Sequence, residues 1–339
     1  MDVAALDVVH QLLIKGFDGL WTLVIVEYDG MVCSVDVSIN SVESKPAIGG
    51  FHPLYNANGG VAAIAGGAHG GIQYLVLWTF ERVLCVLSRT KDSAPSTRMV
   101  SIGPIHDISA LHFDSQTGLC HAGTHEGQVL VIDCAVGDVQ SVPGLPGLPI
   151  CQILVKDGAT YTINTGGALR KDGETLQKDL VNAFASSDKY LVYGAFHLHF
   201  CCKGAHGTLL LESSITTIIH LDLNTCPEET QKHLSYTFSE HRDLYHRHHE
   251  FFVLGLGNGQ LWLVQLCETT NAKNLCLAKY PLLPERSERP IKQLIQAGDV
   301  LLVLQGVCDI GLVSIGSPPA APPTFQIASS YSQESVSST

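Results

Sequence analysis

The sequence is short of charge. Lys, Arg, Asp and Glu make up 15% of its 339 residues, where soluble domains average about 25%. Cations are the scarcer kind, 20 Lys and Arg against 32 Asp and Glu, for a formal net charge of −12. So few cations cannot neutralise a phosphate backbone, which argues against direct nucleic-acid binding. Long apolar runs are also missing. The longest reach about ten residues, half of the ~20 that a membrane-spanning helix requires, so no membrane insertion is expected. The eleven cysteines include no pair at C-x-x-C spacing, the signature of zinc ribbons and dithiol redox motifs. Most sit in apolar runs, such as Cys33, Cys85, Cys134 and Cys276, where they read as small hydrophobes. The opening MDVAALDVVHQLLIKG places Asp2 and Asp7 where a secretory leader carries basic residues. These features point to a reducing compartment, cytoplasmic or nuclear.

Signatures of catalysis and cofactor binding are absent in the same way. Gly66-Gly67-Ala68-His69-Gly70-Gly71 has no Gly-Lys-Ser/Thr ending and reads as a long turn between strands. The run Gly255-x-Gly257-x-Gly259 misses the spacing of a dinucleotide fingerprint. No G-x-S-x-G, H-E-x-x-H or deaminase pattern occurs. No catalytic residue, cofactor site, metal site or small-molecule substrate is therefore assigned.

What the chain does have is 45% hydrophobic residues, 32 glycines and a repeat. Tight-turn dipeptides precede alternating apolar runs seven times. They are Asp29-Gly30, Glu81-Arg82, Glu126-Gly127, Gly166-Gly167, His206-Gly207, Asn258-Gly259 and Cys308-Asp309. Asp-Gly and Asn-Gly supply the positive φ of hairpin turns. Apolar runs such as LWTLVIVEY, IQYLVLWTF and DVLLVLQ lie before the turns. Further back, ISALHFD (108–114), ICQILVK (150–156), LVNAFAS (180–186) and IKQLIQA (291–297) read as innermost strands. TRMVSI (97–102), TTIIHLDL (216–223) and NLCLAKY (274–280) read as fourth strands. Four short strands repeated seven times predict an all-β, seven-bladed β-propeller. ALRKDGETLQK (168–178) is the weakest unit, so a six-bladed or irregular propeller is the alternative.

HDISALHFDSQTGLCHAGTHEGQVLVIDC (106–134) resembles a WD40 repeat whose Trp-Asp dipeptide is lost. His106, Ala122-Gly123-Thr124, Gly127 and Ile132-Asp133 occupy the motif's places. FFVLGLGNGQLWLVQL (251–266) is similar to the second half of that repeat, with Val264-Gln265 at its end. The other five units match as strand patterns only. The resemblance implies a propeller over 1–316. A 317–339 tail follows, with four prolines in 318–323 and six serines among its last eleven residues, too polar to bury a core. The seventh unit shows three candidate strands, so TFQIA (324–328) or the N-terminal segment is expected to complete it. LDVVHQLLIK (6–15) equally reads as the first blade's inner strand.

Two clusters carry possible chemistry. His197 and His199 with Cys201 and Cys202 invite a metal, but adjacent cysteines on a strand point to opposite faces, and a strand ending in a loop is the simpler reading. The segment 239–252 collects His241, His246, His248 and His249, either a solvated loop or a pH-sensitive, partner-binding one. Trp21, Trp78 and Trp262 fall in strands and read as packing residues.

The resemblance implies a non-enzymatic protein-interaction scaffold whose partners are other subunits of a stable complex. The turn face would carry His106, Asp107, His125, Glu126 and Asn258. The alternatives are a propeller-fold enzyme or small-ligand binder using central His and Asp residues, or a component of a nucleic-acid-processing complex.

Overall fold

The computed structural model describes residues 8–17, 20–38, 47–102, 106–142, 147–178, 180–202, 205–237, 245–269, 275–283, 289–306, 309–315 and 324–328. It forms seven successive antiparallel sheets, the blades of a seven-bladed β-propeller, with consecutive strands side by side except where the last strand joins sheet six. The chain divides into two compact units, Met1–Val181 and Asn182–Thr339.

The first unit holds four sheets of four strands. Sheet one comprises Val8–Lys15, Trp21–Glu27, Met31–Ser38 and Ala47–Asn56. Sheet two comprises Val61–His69, Ile72–Thr79, Leu84–Arg89 and Ser96–Val100. Sheet three runs Ile108–Asp114, Leu119–Thr124, Val129–Asp133 and Val139–Val142. Sheet four runs Ile150–Lys156, Ala159–Asn164, Leu169–Lys171 and Glu174–Gln177. The weakest unit in sequence is thus a full blade. Its last hairpin turns on Asp172 and Gly173, both at positive φ, the geometry of a two-residue hairpin loop.

Second strands such as Trp21–Glu27 are buried on both faces, which is why they read as continuous apolar runs rather than alternating ones. Cores form between successive sheets. Val24, Val26, Leu75 and Leu77 pack sheet one on sheet two, and Val76, Trp78, Cys120 and Ile132 pack sheet two on sheet three. The glycine-rich stretch lies mostly inside a strand rather than in a long turn, because inner strands approach closely here. A Cβ on Gly67 would sit 2.6 Å from the Phe113 ring, and one on Gly66 2.8 Å from the Tyr74 carbonyl. Only Gly70 and Gly71 form the turn.

The second unit departs from regularity. Sheet five comprises Ala183–Ser186, Leu191–Gly194, His197–Cys202 and Ala205–Leu210. Its central turn is therefore Ala195-Phe196, and the expected turn His206-Gly207 lies inside the fourth strand. TTIIHLDL opens sheet six rather than closing sheet five, contributing Ile215–Leu221. Sheet six continues with Tyr245–Leu256, Leu261–Thr269 and Leu275–Leu283.

Between its first two strands the chain inserts a short 3-10 turn, Leu223–Thr225, and a helix, Glu228–Thr237. The Asp222 carboxylate accepts the Asn224 N–H at 3.0 Å, while Glu228 and Glu229 occupy the helix's first turn, where negative charge is favoured. Thr230 and Leu234, four residues apart, bury its inner side. These are the two buried residues among the helix's described side chains, too faint a periodicity to read from sequence. Of the histidine-rich segment, 239–244 lies outside the described residues, and the strand begins at Tyr245.

Sheet seven has three strands among the described residues, Ile291–Ala297, Val300–Gln305 and Asp309–Ser314. TFQIA does return as a strand, Thr324–Ala328, but it pairs antiparallel with Leu275–Lys279 and makes sheet six five-stranded. The N-terminal segment is the inner strand of sheet one. Unpaired edges invite association, so deleting 317–339 is expected to uncover the Leu275–Leu283 edge. Sedimentation should show increased self-association, with faster amide exchange at 275–279. An unchanged exchange rate there would show that the tail strand does not protect this edge.

Candidate functional site

In the first unit, one end of the sheets is built from the turns between second and third strands and from the loops that join sheet to sheet. Backbone hydrogen bonds knit these together. The Ala57 N–H donates to the Gly30 carbonyl, Phe80 to Gly60, His125 to Asp107, Gly147 to Glu126, Thr165 to Pro149 and Val181 to Gly167, all within 2.8–3.2 Å. Glycines permit the turns, with Gly30 at φ +89° and Gly127 at φ +80°. The result is a row of turns held by main-chain bonds, with the Trp78 and Arg82 side chains reaching Asp107 across the step from sheet two to sheet three.

Four of the five expected partner-binding residues stand on this row. Asp107 is the best anchored. Its carboxylate accepts a hydrogen bond from the Trp78 indole N–H at 3.3 Å and another from the Arg82 guanidinium at 3.4 Å. Arg82 holds a left-handed backbone, φ +61°, uncommon outside glycine. His106 is half-buried, with no hydrogen-bond partner for its Nδ1 among the described residues. His125 and Glu126 are exposed at the tip of their turn. Asn258 belongs to the second unit and serves its own turn: its amide donates to Gln260 Oε1 at 2.9 Å and accepts the Gln260 N–H at 3.2 Å.

Sequence reasoning missed the apolar members of the row. Tyr28 is 76% exposed, Leu180 71%, Phe80 66% and Leu148 53%. The first three are the most exposed large apolar side chains among the described residues of this unit. Tyr28 and Phe80 sit inside tight turns, Glu27-Tyr28-Asp29-Gly30 and Thr79-Phe80-Glu81-Arg82, where polar residues normally stand. An aromatic in that place is the signal that marks them. Around them Asp29, Glu81 and Glu126 are exposed and Glu27 is half-exposed. Burial pushes the nearby Cys33 thiol up, and the Glu27 and Asp29 carboxylates push it further.

The clusters that invited chemistry are otherwise employed. On sheet five, His199 Nδ1 lies 3.3 Å from both His206 Nε2 and Thr208 Oγ1, and its ring stacks on Tyr193 at 5.2 Å. Burial, reinforced by the His206 and His197 imidazoles, lowers His199 to about 4, so the ring is neutral at pH 7. Cys202 packs in the core while Cys201 occupies the opposite face, its thiol donating to the Tyr193 hydroxyl at 3.7 Å. Among the described residues no three His, Cys, Asp or Glu side chains converge as metal ligands. A cleft between sheets one and two is lined in part by Arg89. That guanidinium is already engaged, donating to Gln73 Oε1 at 2.7 Å and lying 3.8 Å from Asp36. Nine cysteines are free among the described residues, and no described helix is long and apolar enough to cross a membrane.

No protein-family model matches the sequence, and no curated protein does. Solved structures do match. The crystal structure of BBS1N in complex with ARL6DN superposes with a TM-score of 0.57 at 15% identity, covering 94% of this chain and 93% of that one. The structure of the RRP9 WD40 repeats gives 0.55 at 13% identity, covering 96% and 95%. A chain of the Mitotic Checkpoint Complex gives 0.58 at 11% identity, covering 89% and 86%. The fold is that of the WD40-repeat propellers. It holds although the Trp-Asp dipeptide is gone. The apolar strand pattern and the glycine turns suffice for this propeller without the motif that usually advertises it.

Proposed function

We propose that this propeller is a non-enzymatic interaction subunit that docks other proteins on the turn face of its first unit. The observation that carries the reading is the row of exposed Tyr28, Phe80, Leu148 and Leu180 mounted on main-chain-bonded turns. Soluble surfaces rarely display a run of large apolar side chains unless something covers it. Aromatic residues are also the usual anchors of protein interfaces. Two of the similar structures are of complexes, BBS1N with ARL6DN and the Mitotic Checkpoint Complex, which agrees with a scaffold role. His106, Asp107, His125 and Glu126 form the polar part of the same face, with Asp107 fixing Arg82. The free thiols fit a cytoplasmic or nuclear setting.

The test is affinity purification of the tagged full chain from its native cells, with mass spectrometry, beside the variant Phe80→Ser. The expected result is a fixed, near-stoichiometric set of proteins with the parent chain and its loss, by about tenfold, with the variant. Recovery of a monodisperse chain alone would sink the obligate-subunit reading.

A further inference from the structure

The charges on this row narrow what it can accept. Glu27 and Asp29 flank Tyr28 in its turn, Glu81 follows Phe80, and the Glu126 carbonyl accepts the N–H of Gly147, the residue before Leu148. Arg82, the cation among them, is held by the Asp107 carboxylate. Further along, Arg170 is half-buried with its guanidinium under Gly147, and Lys178 stands at the far end beside Leu180. The middle of the row, from Tyr28 to Glu126, therefore carries an excess of carboxylate around two exposed aromatic rings.

The Phe80 ring, the Tyr28 turn and the Glu81 side chain are neighbours around Gly59 and Gly60. A Cβ on Gly60 would lie 3.1 Å from the Phe80 ring and 3.7 Å from the Tyr28 carbonyl, and one on Gly59 would lie 3.6 Å from the Glu81 side chain. Gly59 and Gly60 thus leave a low saddle between the two aromatic turns. Leu180 stands at φ +41°, a conformation rare for a branched side chain, and still projects into solvent. Strain of that kind persists where the surrounding structure imposes it and clusters at functional surfaces.

We infer that the row from Tyr28 to Leu180 binds a segment of a partner protein that combines apolar side chains with Lys or Arg, the apolar groups seating at Tyr28 and Phe80 and the cations meeting Glu27, Asp29, Glu81 and Glu126. This rests on the interaction role proposed above and gives it a chemistry. The aromatic rings supply the buried contact area. The carboxylates supply a rim that speeds encounter and rejects acidic sequences. A basic side chain also has the faces of Tyr28 and Phe80 within reach for cation–π contact.

The probes are three short synthetic peptides of equal length, one alternating Leu or Phe with Lys or Arg, one replacing the cations with Glu, and one replacing the apolar residues with Ser. Fluorescence anisotropy against the full chain is expected to rank the basic–apolar peptide first, about tenfold or more above each of the others. Phe80→Ser and the double variant Glu81→Gln with Glu126→Gln should each weaken it several-fold, while Met99→Ser, on the outer strand of sheet two, should leave it unchanged. Raising salt should weaken the parent and flatten the difference with the double variant. Failure of the basic–apolar peptide to bind, equal binding of the acidic one, or indifference to the Phe80 and Glu81/Glu126 variants would overturn the inference. Circular dichroism of each variant separates a lost site from a lost fold. If native partners co-purify with parent and Phe80→Ser alike, the interaction role stands and this docking chemistry falls. If no partner is recovered at all, the role itself falls.

Discussion

Replacing Trp78 with Ala is expected to cost about 4 kcal/mol of folding stability, the usual range for emptying a buried indole. The side chain is 1% exposed and packs sheet two against sheet three beside Leu84, Cys120 and Ile132. It also has a polar duty, since its N–H reaches the Asp107 carboxylate at 3.3 Å. Trp78→Phe separates the two roles. Phenylalanine keeps much of the volume but removes the donor, so its cost beyond the smaller ring should be about 1 kcal/mol, the net worth of a typical hydrogen bond. Urea denaturation followed by far-ultraviolet circular dichroism gives both values. The Phe variant should also loosen Asp107 and, through it, Arg82, altering partner binding more than its stability loss explains. A cost below about 1 kcal/mol for Trp78→Ala would mean that the sheets repack freely around the lost ring, against the density seen in protein interiors.

The blades were legible where turn chemistry and strand pattern agreed. Asp29-Gly30, Glu126-Gly127 and Asn258-Gly259 are turns in the structure. His106 to Cys134 folds as the first three strands of sheet three, and Val139–Val142 adds the fourth that the WD40 likeness implies. The error came in the second unit, where His206-Gly207 mimicked a turn at the expected spacing. The true turn, Ala195-Phe196, has no residue of the usual turn chemistry, and the helix inserted in sheet six stretched the next interval. The two departures compensated, leaving an apparent period that the strands do not follow. The tail strand was expected, but its partner was not, for a different reason. Its pairing with Leu275–Lys279 is a contact distant in sequence, which no local pattern encodes.

The candidate site was legible only in its polar half. The WD40 likeness pointed to His106, Asp107, His125 and Glu126, and these four lie at the turn and loop ends of sheet three. The apolar half was invisible to periodicity, which assigns every Tyr, Phe and Leu to a core. Recognising Phe80 required knowing that the residue after a buried second strand is already in solvent. Asn258 shows the opposite limit, since a turn residue with good hydrogen-bonding chemistry spent that chemistry on its own turn.

Acid should destabilise the first unit through a pair of histidines that neither motif nor function explains. His112 and His121 face each other directly across the first two strands of sheet three. The neighbouring positions Ala110 and Gly123 on the same face pack against Ile150 and Ile153 of sheet four. Burial lowers His112 from the ordinary 6.5 to about 4, with the His121 ring adding to the shift and Asp114 opposing it. Burial lowers His121 as well. The unfolded chain therefore takes up a proton on His112 near its ordinary value, while the folded chain resists until about pH 4. Stability from this residue is complete above pH 6.5 and drains away as pH falls through that window, by about 2 kcal/mol at pH 5. His112→Leu removes the proton acceptor and keeps an apolar side chain in the sheet. Whatever its stability near pH 7, the variant should lose about 2 kcal/mol less than the parent on going to pH 5, measured by urea unfolding at each pH. Equal losses in both proteins would assign the acid limb to other groups, of which His199, held near 4 by its own burial, is the next to replace.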